Sequence, residues 1–210
     1  MAGERLESQE TSWIGLSRIN ASLIVGVLAL QGAFSRHEDV LHQIGVSTRQ
    51  VRTPQDLEAV TALVMPGGES TTMSQLLESS ELFGPLAKRL NDGMAVFGTC
   101  AGMILLAKQV VDGRDDQLPF GAIDIEVQRN AYGRQVDSFE ADIEVETLEA
   151  PFHAVFIRAP RIVSLGSGVK ALAYRDDDVV LAQQGNILVA SFHPELSNDT
   201  RLHELFLKEV

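Results

Sequence analysis

The stretch MAVFGTCAGMILLAKQV, residues 94–110, decides the fold of this 210-residue chain. Its first part, residues 94–98, is an apolar run that predicts a buried strand, and residues 101–110 predict a helix. The turn between them holds Cys100, the only cysteine in the sequence. A strand that passes directly into a helix is the repeating unit of α/β proteins with parallel sheets.

The same alternation of strand and helix precedes this stretch. Strand-like runs are LIVGVLAL (23–30), VSTRQVR (46–52) and TALVMPGG (61–68). Residues 31–45 have helical spacing and end at Gly45, where a helix would stop. Residues 70–93 predict two short helices broken near Gly84 and Pro85. We therefore expect an α/β, flavodoxin-like three-layer sandwich with a mostly parallel central sheet covered on both faces.

The second half of the chain changes character. It contains six strand-like segments separated by short turns: AIDIEVQRN, SFEADIEV, HAVFIRAP, VKALAYR, VVLAQQG and NILVASFHPE. They predict additional β-strands appended to the sheet rather than a second domain, and residues 200–210 predict a closing amphipathic helix. We expect residues 1–21, which are polar, to form a disordered N-terminal extension, and residues 22–210 to form one domain.

Composition excludes several classes of partner. The formal net charge is −12, from 17 basic and 29 acidic side chains. A field of that sign repels phosphate backbones, so a nucleic-acid partner is not expected. A membrane partner is not expected either, because no apolar run reaches the roughly 18 residues of a membrane helix. A single cysteine forms no internal disulfide, which fits a cytoplasmic location.

Cys100 lies in the pattern Gly98-Thr99-Cys100-Ala101-Gly102, which has the form of a nucleophile elbow. Such a turn needs small flanking residues because chain segments crowd there. It would place the sulfur at the start of a helix, where the helix dipole favours a thiolate. The amide of Ala101 could then donate to an oxyanion. The alternative is that Cys100 is a small buried apolar residue, as most lone cysteines are.

A thiolate nucleophile needs a base, and the base needs a group that orients it. His193 ends an apolar strand that Pro194 prevents from continuing, and Glu195 is two positions further. Both side chains can enter a cleft at the carboxyl end of the sheet, where Cys100 is also expected. Taken alone, the His-Pro-Glu sequence would be a turn with a satisfied histidine. Surface or structural roles are expected for the other histidines, which are His37, His42, His153 and His203.

The segment MPGGES, residues 65–70, follows another strand. Consecutive glycines let backbone amides approach a ligand, so Gly68 could supply a second oxyanion donor. Ser70 could cap the helix that follows. The segment lacks the Gly-Lys-Ser/Thr sequence of a phosphate-binding loop.

Together these loops give the chain a family resemblance. PGGES, GTCAGM and FHPE resemble the corresponding loops of class I glutamine amidotransferases. More closely, the chain resembles the glutaminase subunits of pyridoxal 5′-phosphate synthases. This closer likeness runs from about residue 23 to the C-terminus and is carried by VGVLALQGAFSRHEDVL, MPGGESTTM, FGTCAGMILLA, RNAYGRQVDSFE, FIRAP and ASFHPEL.

The resemblance implies a reaction and roles for particular residues. The reaction is hydrolysis of L-glutamine to glutamate and ammonia through a glutamyl thioester. Cys100 would be the nucleophile, His193 the proton shuttle and Glu195 the residue that holds the imidazole. The amides of Gly68 and Ala101 would form the oxyanion hole. The implied glutamine pocket consists of Gly68, Glu69, Ser70, Arg129, Ile157 and Arg158.

The resemblance also implies a partner. Family members dock on a synthase subunit, a (β/α)8 barrel, and deliver ammonia to it for vitamin B6 biosynthesis. The expected assembly has twelve glutaminase and twelve synthase subunits. In the family the glutaminase is nearly idle until docked, and the peptide between Gly67 and Gly68 is the part expected to move. No cofactor and no metal are expected.

Three rival functions remain open at this stage. The chain could be the glutaminase of another class I amidotransferase, such as an imidazole-glycerol-phosphate synthase, although RNAYGRQ and GGES argue against it. It could be a cysteine hydrolase or chaperone with a related elbow, in which FHPE would have no role. It could also be a binding module with a degenerate site, which predicts a missing catalytic residue where none is missing.

Overall fold

The computed structural model describes residues 23–113, 118–129 and 138–210. Its strands are β1 (Ile24–Leu28), β2 (Ser47–Val51), β3 (Ala62–Met65), β4 (Ala95–Thr99), β5 (Ala107–Val110), β6 (Ile123–Gln128), β7 (Ser138–Ile143), β8 (Phe152–Ile157), β9 (Arg161–Leu165), β10 (Lys170–Arg175), β11 (Asp178–Gln184) and β12 (Ile187–Ala190). Its helices are α1 (Phe34–Gln43), α2 (Pro54–Glu58), α3 (Ser70–Ser79), α4 (Phe83–Asn91), α5 (Ala101–Leu106) and α6 (Arg201–Leu207), with a 3₁₀ turn at Pro194–Leu196.

The central sheet has seven strands in the order β10-β11-β12-β4-β3-β1-β2. Neighbouring strands from β12 to β2 are parallel, and β11 and β10 extend the sheet in antiparallel fashion. Smaller sheets are formed by β5, β6 and β9 and by β7 and β8. The expected mostly parallel sheet with additional strands in the C-terminal half is therefore confirmed.

The parallel strands are apolar on both faces because both faces are covered. In β3, Leu63 and Met65 belong to one hydrophobic core, whereas Ala62 and Val64 belong to the other. The first core packs under α2 to α5, and the second packs under α1, α6 and the β7–β8 hairpin. Side chains alternate between the faces along a strand, so one continuous apolar run supplies both cores. These are the three layers expected from the sequence.

Local corrections concern how elements begin and end. The helix expected over residues 101–110 ends at Leu106, because the chain turns extended at Ala107 and pairs with β6 as strand β5. Pro85 lies inside the first turn of α4, where a missing N–H is tolerated, so the break between the two helices falls at residues 80–82. The sequence analysis missed α2 and β9.

The N-terminal extension expected over residues 1–21 lies outside the described residues, so it stays a prediction. None of the helices within residues 23–113, 118–129 and 138–210 is long and apolar enough to cross a lipid bilayer.

The parallel topology places the segments that follow four of the strands close together. Strands β1, β3, β4 and β12 run parallel, so the segments that follow them leave the sheet at one edge. Binding sites in open α/β sheets lie at this edge.

Candidate active site

Cys100 occupies the turn between β4 and α5 in a strained backbone conformation, with φ 48° and ψ −102°. The flanking glycines make this turn possible. A Cβ atom added at Gly98 would lie 2.9 Å from the carbonyl carbon of Gly102, and one added at Gly102 would lie 2.1 Å from the carbonyl oxygen of Met65. The turn therefore has the crowding of a nucleophile elbow. The residue is 6% exposed and lies at the N-terminus of α5.

His193 and Glu195 lie on the segment that follows β12. The backbone N–H of His193 donates to the carbonyl oxygen of Val155 at 2.8 Å, which fixes the start of the 3₁₀ turn. Nδ1 of His193 is 2.8 Å from Oε1 of Glu195. The Glu195 side chain is fully buried and that of His193 is 11% exposed, so only the imidazole reaches the pocket.

His193 and Cys100, which lie far apart in the sequence, line the same pocket, and a Cβ atom added at Gly67 would contact both side chains. The Cys100 sulfur itself lies 4.0 Å from the carbonyl oxygen of Ile157. Burial lowers the pKa of His193, but hydrogen bonds and charge interactions with Cys100 and Glu195 more than offset this and raise it to about 10. The ring is therefore held as an imidazolium at neutral pH. An imidazolium beside sulfur can donate a proton to a leaving group.

Glu195 remains ionised in its buried position. Burial raises the pKa of its carboxyl group, but the contacts with His37 and His193 outweigh burial and keep it below its ordinary value. A buried carboxylate bonded to Nδ1 fixes the ring orientation and tautomer of the histidine.

A pocket of about 320 Å³ opens beside the sulfur. Its walls come from the loops after β1, β3, β4, β6, β8 and β12, from the start of α3 and from α5. Its lining residues are Gln31, Gly68, Glu69, Ser70, Cys100, Ile104, Arg129, Ile157, Arg158 and His193. Every glutamine-pocket residue expected from the sequence is among them. Gln31 and Ile104 are lining residues that the sequence analysis did not identify.

The pocket carries charges of both signs. Arg129 Nη1 donates to Thr71 Oγ1 at 3.1 Å, and the Arg129 backbone N–H donates to Asp112 Oδ1 at 2.7 Å, which holds this arginine at the pocket wall. Arg158 is exposed and has a positive φ of 42°, which turns the chain at the end of β8. Two guanidinium groups and one carboxylate in one pocket suit a zwitterionic amino acid.

The cap of α3 differs from the expectation. Glu69, not Ser70, is the N-cap, and Ser70 is a buried first helical residue. The Glu69 carboxylate accepts hydrogen bonds from the backbone N–H groups of Thr71 and Thr72 and from the hydroxyl of Thr72. Burial raises the pKa of Glu69, but these hydrogen bonds outweigh it and lower the pKa to about 2.

Replacing Glu69 by alanine should lower the free energy of unfolding by about 1 kcal/mol near neutral pH, the usual effect of losing a cap. The folded-state pKa is depressed from 4.5 to about 2, so the cap stabilises above 4.5 and is lost as pH falls toward 2. Urea unfolding of wild type and Glu69→Ala should therefore converge on acidification. Glu78→Ala, at an exposed glutamate in the same helix, is the control and should leave stability unchanged. A gap that stays constant with pH would contradict this account.

The glycine loop after β3 lies against the catalytic candidates. A Cβ atom added at Gly67 would lie 2.3 Å from Cε1 of His193 and 3.3 Å from Cβ of Cys100. The backbone N–H of Glu69 donates to Oε1 of Gln31 at 3.0 Å, which ties this loop to the one after β1. Any side chain at Gly67 would displace the imidazole.

The four other histidines divide into an exposed pair and a buried pair. His42 and His153 are exposed, whereas His37 and His203 are fully buried. Nε2 of His37 lies 3.3 Å from Oε2 of Glu195, so the ring contacts the carboxylate behind the pocket. Helical spacing alone places His37 on α1 but gives no signal for this contact.

Two further expectations remain. The RNAYGRQ motif spans residues 129–135, and all of it after Arg129 lies outside the described residues. Within the described ranges, no cluster of three or more histidine, cysteine, aspartate or glutamate side chains has a metal-binding arrangement.

A family profile, curated relatives and a solved structure all match most of this chain. The profile of the SNO glutamine amidotransferase family matches residues 27–210. A protein of Herpetosiphon aurantiacus named pyridoxal 5′-phosphate synthase subunit PdxT is 55% identical over 188 residues, covering 88% of this chain and 99% of that protein. A protein of Desulforamulus reducens with the same name is 52% identical over 189 residues, covering 90% of this chain and 100% of that protein. A solved structure, "Crystal structure of glutamine amidotransferase", is 49% identical with a TM-score of 0.84, covering 88% of this chain and 97% of the other.

Proposed function

Because the chain belongs to the SNO glutamine amidotransferase family, we propose that Cys100, His193 and Glu195 form the triad with which it hydrolyses L-glutamine. The chain is the glutaminase subunit of a pyridoxal 5′-phosphate synthase, because it belongs to a glutamine amidotransferase family and its relatives of more than 50% identity are named as subunits of that synthase. The observation that carries the triad is the imidazole of His193, which is 2.8 Å from Oε1 of Glu195 and lines the same pocket as Cys100.

The first half of the reaction forms a thioester. The sulfur of Cys100 attacks the side-chain amide carbon of glutamine as a thiolate, with the thiol proton held on His193. The carbonyl π bond opens to an oxyanion, and the C–N bond then breaks as the imidazolium gives its proton to the leaving nitrogen. Ammonia leaves, and the glutamyl group remains on sulfur.

The second half restores the enzyme. A water molecule gives a proton to His193 and attacks the thioester carbon. The C–S bond breaks, glutamate is released, and the proton returns to the pair formed by Cys100 and His193. Glu195 keeps the ring oriented in both halves and does not itself exchange a proton.

The amides of Gly68 and Ala101 are the proposed oxyanion donors. Ala101 is the first residue of α5, and Gly68 lies in the pocket wall. Losing one such donor typically lowers a rate roughly a hundredfold to a thousandfold. The peptide between Gly67 and Gly68 is the proposed moving part that completes this hole when the synthase docks. Glycine makes such a movement sterically accessible.

The proposed glutamine site uses the remaining pocket residues. Arg129 and Arg158 supply positive charge for the α-carboxylate, and Glu69 supplies negative charge for the α-ammonium. Glu69 is suited to this role because its pKa of about 2 keeps it ionised. Ser70 and Ile157 complete the walls around the side chain of the substrate.

The proposed partner is a synthase subunit with a (β/α)8 barrel, in a complex of twelve glutaminase and twelve synthase subunits in the cytoplasm. Free ammonia would be protonated and lost in bulk water, so delivery within a complex is chemically favoured. The chain's net charge of −12 is consistent with a protein partner rather than nucleic acid.

Glutamine hydrolysis with and without the synthase tests the proposal. Glutamate formation by the isolated chain should be slow and should rise at least about tenfold when the pyridoxal 5′-phosphate synthase barrel is added, since losing one oxyanion donor alone costs more than this. An imidazole-pathway barrel is the matched control and should give no increase. Equal stimulation by both barrels, or by neither, would contradict the assigned partner.

A further inference from the structure

The imidazole rings of His37 and His203 lie one after the other on the buried side of Glu195. Nε2 of His37 lies 3.3 Å from Oε2 of Glu195, and Nδ1 of His37 lies 2.9 Å from Nε2 of His203. Both rings are fully buried. The reaction proposed above uses Oε1 of Glu195 but assigns no role to Oε2 or to either of these histidines.

Burial favours the uncharged form of both rings. Burial lowers the pKa of His37, against the opposing charge of Glu195, and burial lowers the pKa of His203 well below its ordinary value. A neutral imidazole carries one N–H donor and one acceptor nitrogen. Each ring can therefore donate only one hydrogen bond, and the neighbours decide from which nitrogen.

The ionised carboxylate of Glu195 determines which ring nitrogen of each histidine carries the proton. Oε2 of Glu195 can only accept, so Nε2 of His37 must carry that ring's proton. Nδ1 of His37 is then an acceptor, and Nε2 of His203 must donate to it. Nδ1 of His203 is left without a proton, which agrees with its having no hydrogen-bond partner in the described part of the chain. Oε2 of Glu195 is also buried there without a hydrogen-bond partner, so its 3.3 Å separation from Nε2 of His37 is an ion-pair contact, and His37 is the donor that lies beside it. An unpaired buried acceptor is tolerated better than an unpaired N–H.

A role in core packing alone explains the two buried histidines less well. Two neutral histidines are poor choices for filling space in a core, because burying polar groups is unfavourable unless they are hydrogen-bonded. Phe97 packs edge-on against His203, with ring centroids 5.6 Å apart, so an apolar residue at position 203 would suit its neighbour. Thr99 Oγ1 is in hydrogen-bond contact with Nε2 of His37 at 3.4 Å, and Oε2 of Glu195, at 3.3 Å, is the charged acceptor that competes for the same proton.

We propose that His37 is a positioning residue for glutamine hydrolysis: it donates from Nε2 to Oε2 of Glu195, and His203 fixes the tautomer that allows this. The inference rests on the triad proposed above. Glu195 is thereby held at both oxygens, by His193 on the pocket side and by His37 on the buried side. The line joins α1 and the C-terminal helix α6 to the catalytic turn, so α6 influences the reaction without approaching the substrate.

The tautomers can be measured without reference to activity. Long-range nitrogen–proton correlation spectra of the full chain, labelled at histidine, distinguish protonated from unprotonated ring nitrogens. We expect His37 and His203 each to carry a single proton, on Nε2. A His37 ring protonated on Nδ1 alone would turn a lone pair toward Glu195 and overturn the proposal.

Substitutions test the consequence in the synthase-bound enzyme. His37→Leu removes the donor and should lower kcat roughly 10- to 100-fold, the range for losing a hydrogen bond to a charged group. His203→Leu should lower kcat in the same direction, because it frees His37 to adopt the wrong tautomer. KM for glutamine should change little in both, since neither residue lines the pocket. His42→Leu, at an exposed histidine on the same helix, is the control and should retain full activity.

Glutamine variants separate positioning from packing. The side-chain nitrogen of glutamine reaches about as far as Nε2 of histidine, so His37→Gln and His203→Gln should each recover most of the kcat lost in the leucine variants. Leucine variants that fold, bind the synthase and keep wild-type kcat would overturn the proposal. So would glutamine variants that are as slow as the leucine variants. Inactivity of the wild-type complex would instead refute the proposed function and would leave the tautomer measurement to decide this inference.

Discussion

Replacing Cys100 by alanine should reduce ammonia release from glutamine in the synthase-bound enzyme by about 10⁵-fold or more, which is the scale seen when a triad nucleophile is removed. The glutamyl thioester cannot form without sulfur. Among the described residues that line the pocket, Ser70 alone carries a hydroxyl group, and it lies on α3 rather than at the elbow. The measurement is glutamate formation at saturating glutamine.

Covalent labelling checks the same assignment independently. A glutamine-mimicking diazo-ketone should add a single label to the wild-type chain and none to Cys100→Ala, because Cys100 is the only cysteine. Cys100→Ser is the matched variant, which keeps nearly the same shape but is a much weaker nucleophile, and it should also be inactive. Both variants should still bind the synthase. A label on any other residue, or ammonia release by either variant, would contradict the assignment.

Glu195→Gln should lower kcat on the order of a thousandfold with little change in KM, since the side chain at this position is fully buried and does not meet substrate. An amide offers one acceptor and one donor in place of two acceptors. If its NH₂ faces His193, Nδ1 loses its acceptor and the ring takes the wrong tautomer. If its NH₂ faces His37, two donors oppose each other across the 3.3 Å separation found for the carboxylate.

The pH profile gives this prediction a second readout. The Glu195 carboxylate is one of the causes that raise the pKa of His193 to about 10, so its removal must lower that pKa. The imidazolium is then lost at lower pH, and the alkaline fall in kcat/KM should move to lower pH in Glu195→Gln. Glu204→Gln, at a half-buried glutamate in α6, is the control and should match wild type. Full activity in Glu195→Gln would favour a cysteine hydrolase with a different acid.

Much of the fold is readable from apolar periodicity. Runs such as residues 23–30 and 94–98 are apolar throughout because each parallel strand contributes side chains to two cores. Short-range signals for helix ends were less reliable. The capping box of Thr53 and Asp56 and the proline at position 54 mark α2 clearly, but the helix is only five residues long and was missed. Strand β5 was read as helix because its four residues pair with a distant segment, Ile123–Gln128.

The sequence predicted those parts of the candidate site that depend on neighbouring residues. Local sequence indicates an elbow at Cys100 and a strand end at His193, since glycine spacing and proline act on adjacent residues. The N-cap was assigned one residue late, because the choice between Glu69 and Ser70 depends on side-chain geometry. The line from His203 through His37 to Glu195 was not foreseen, because these residues lie on the last helix, the first helix and a turn between other elements.

The sequence by itself determined which segments form the strands of the central sheet and most of the helices that cover it. It also determined which residue types follow the strand ends. Both follow from side-chain periodicity and local backbone restrictions. Only the tertiary structure decided that the ends of β3, β4 and β12 share one edge and that His37 and His203, 166 residues apart, form a hydrogen-bonded pair. Strand pairing and burial join residues irrespective of their separation along the chain. Contacts of that kind leave no mark on local sequence pattern, yet they bring His193 and Glu195 to the pocket that Cys100 lines.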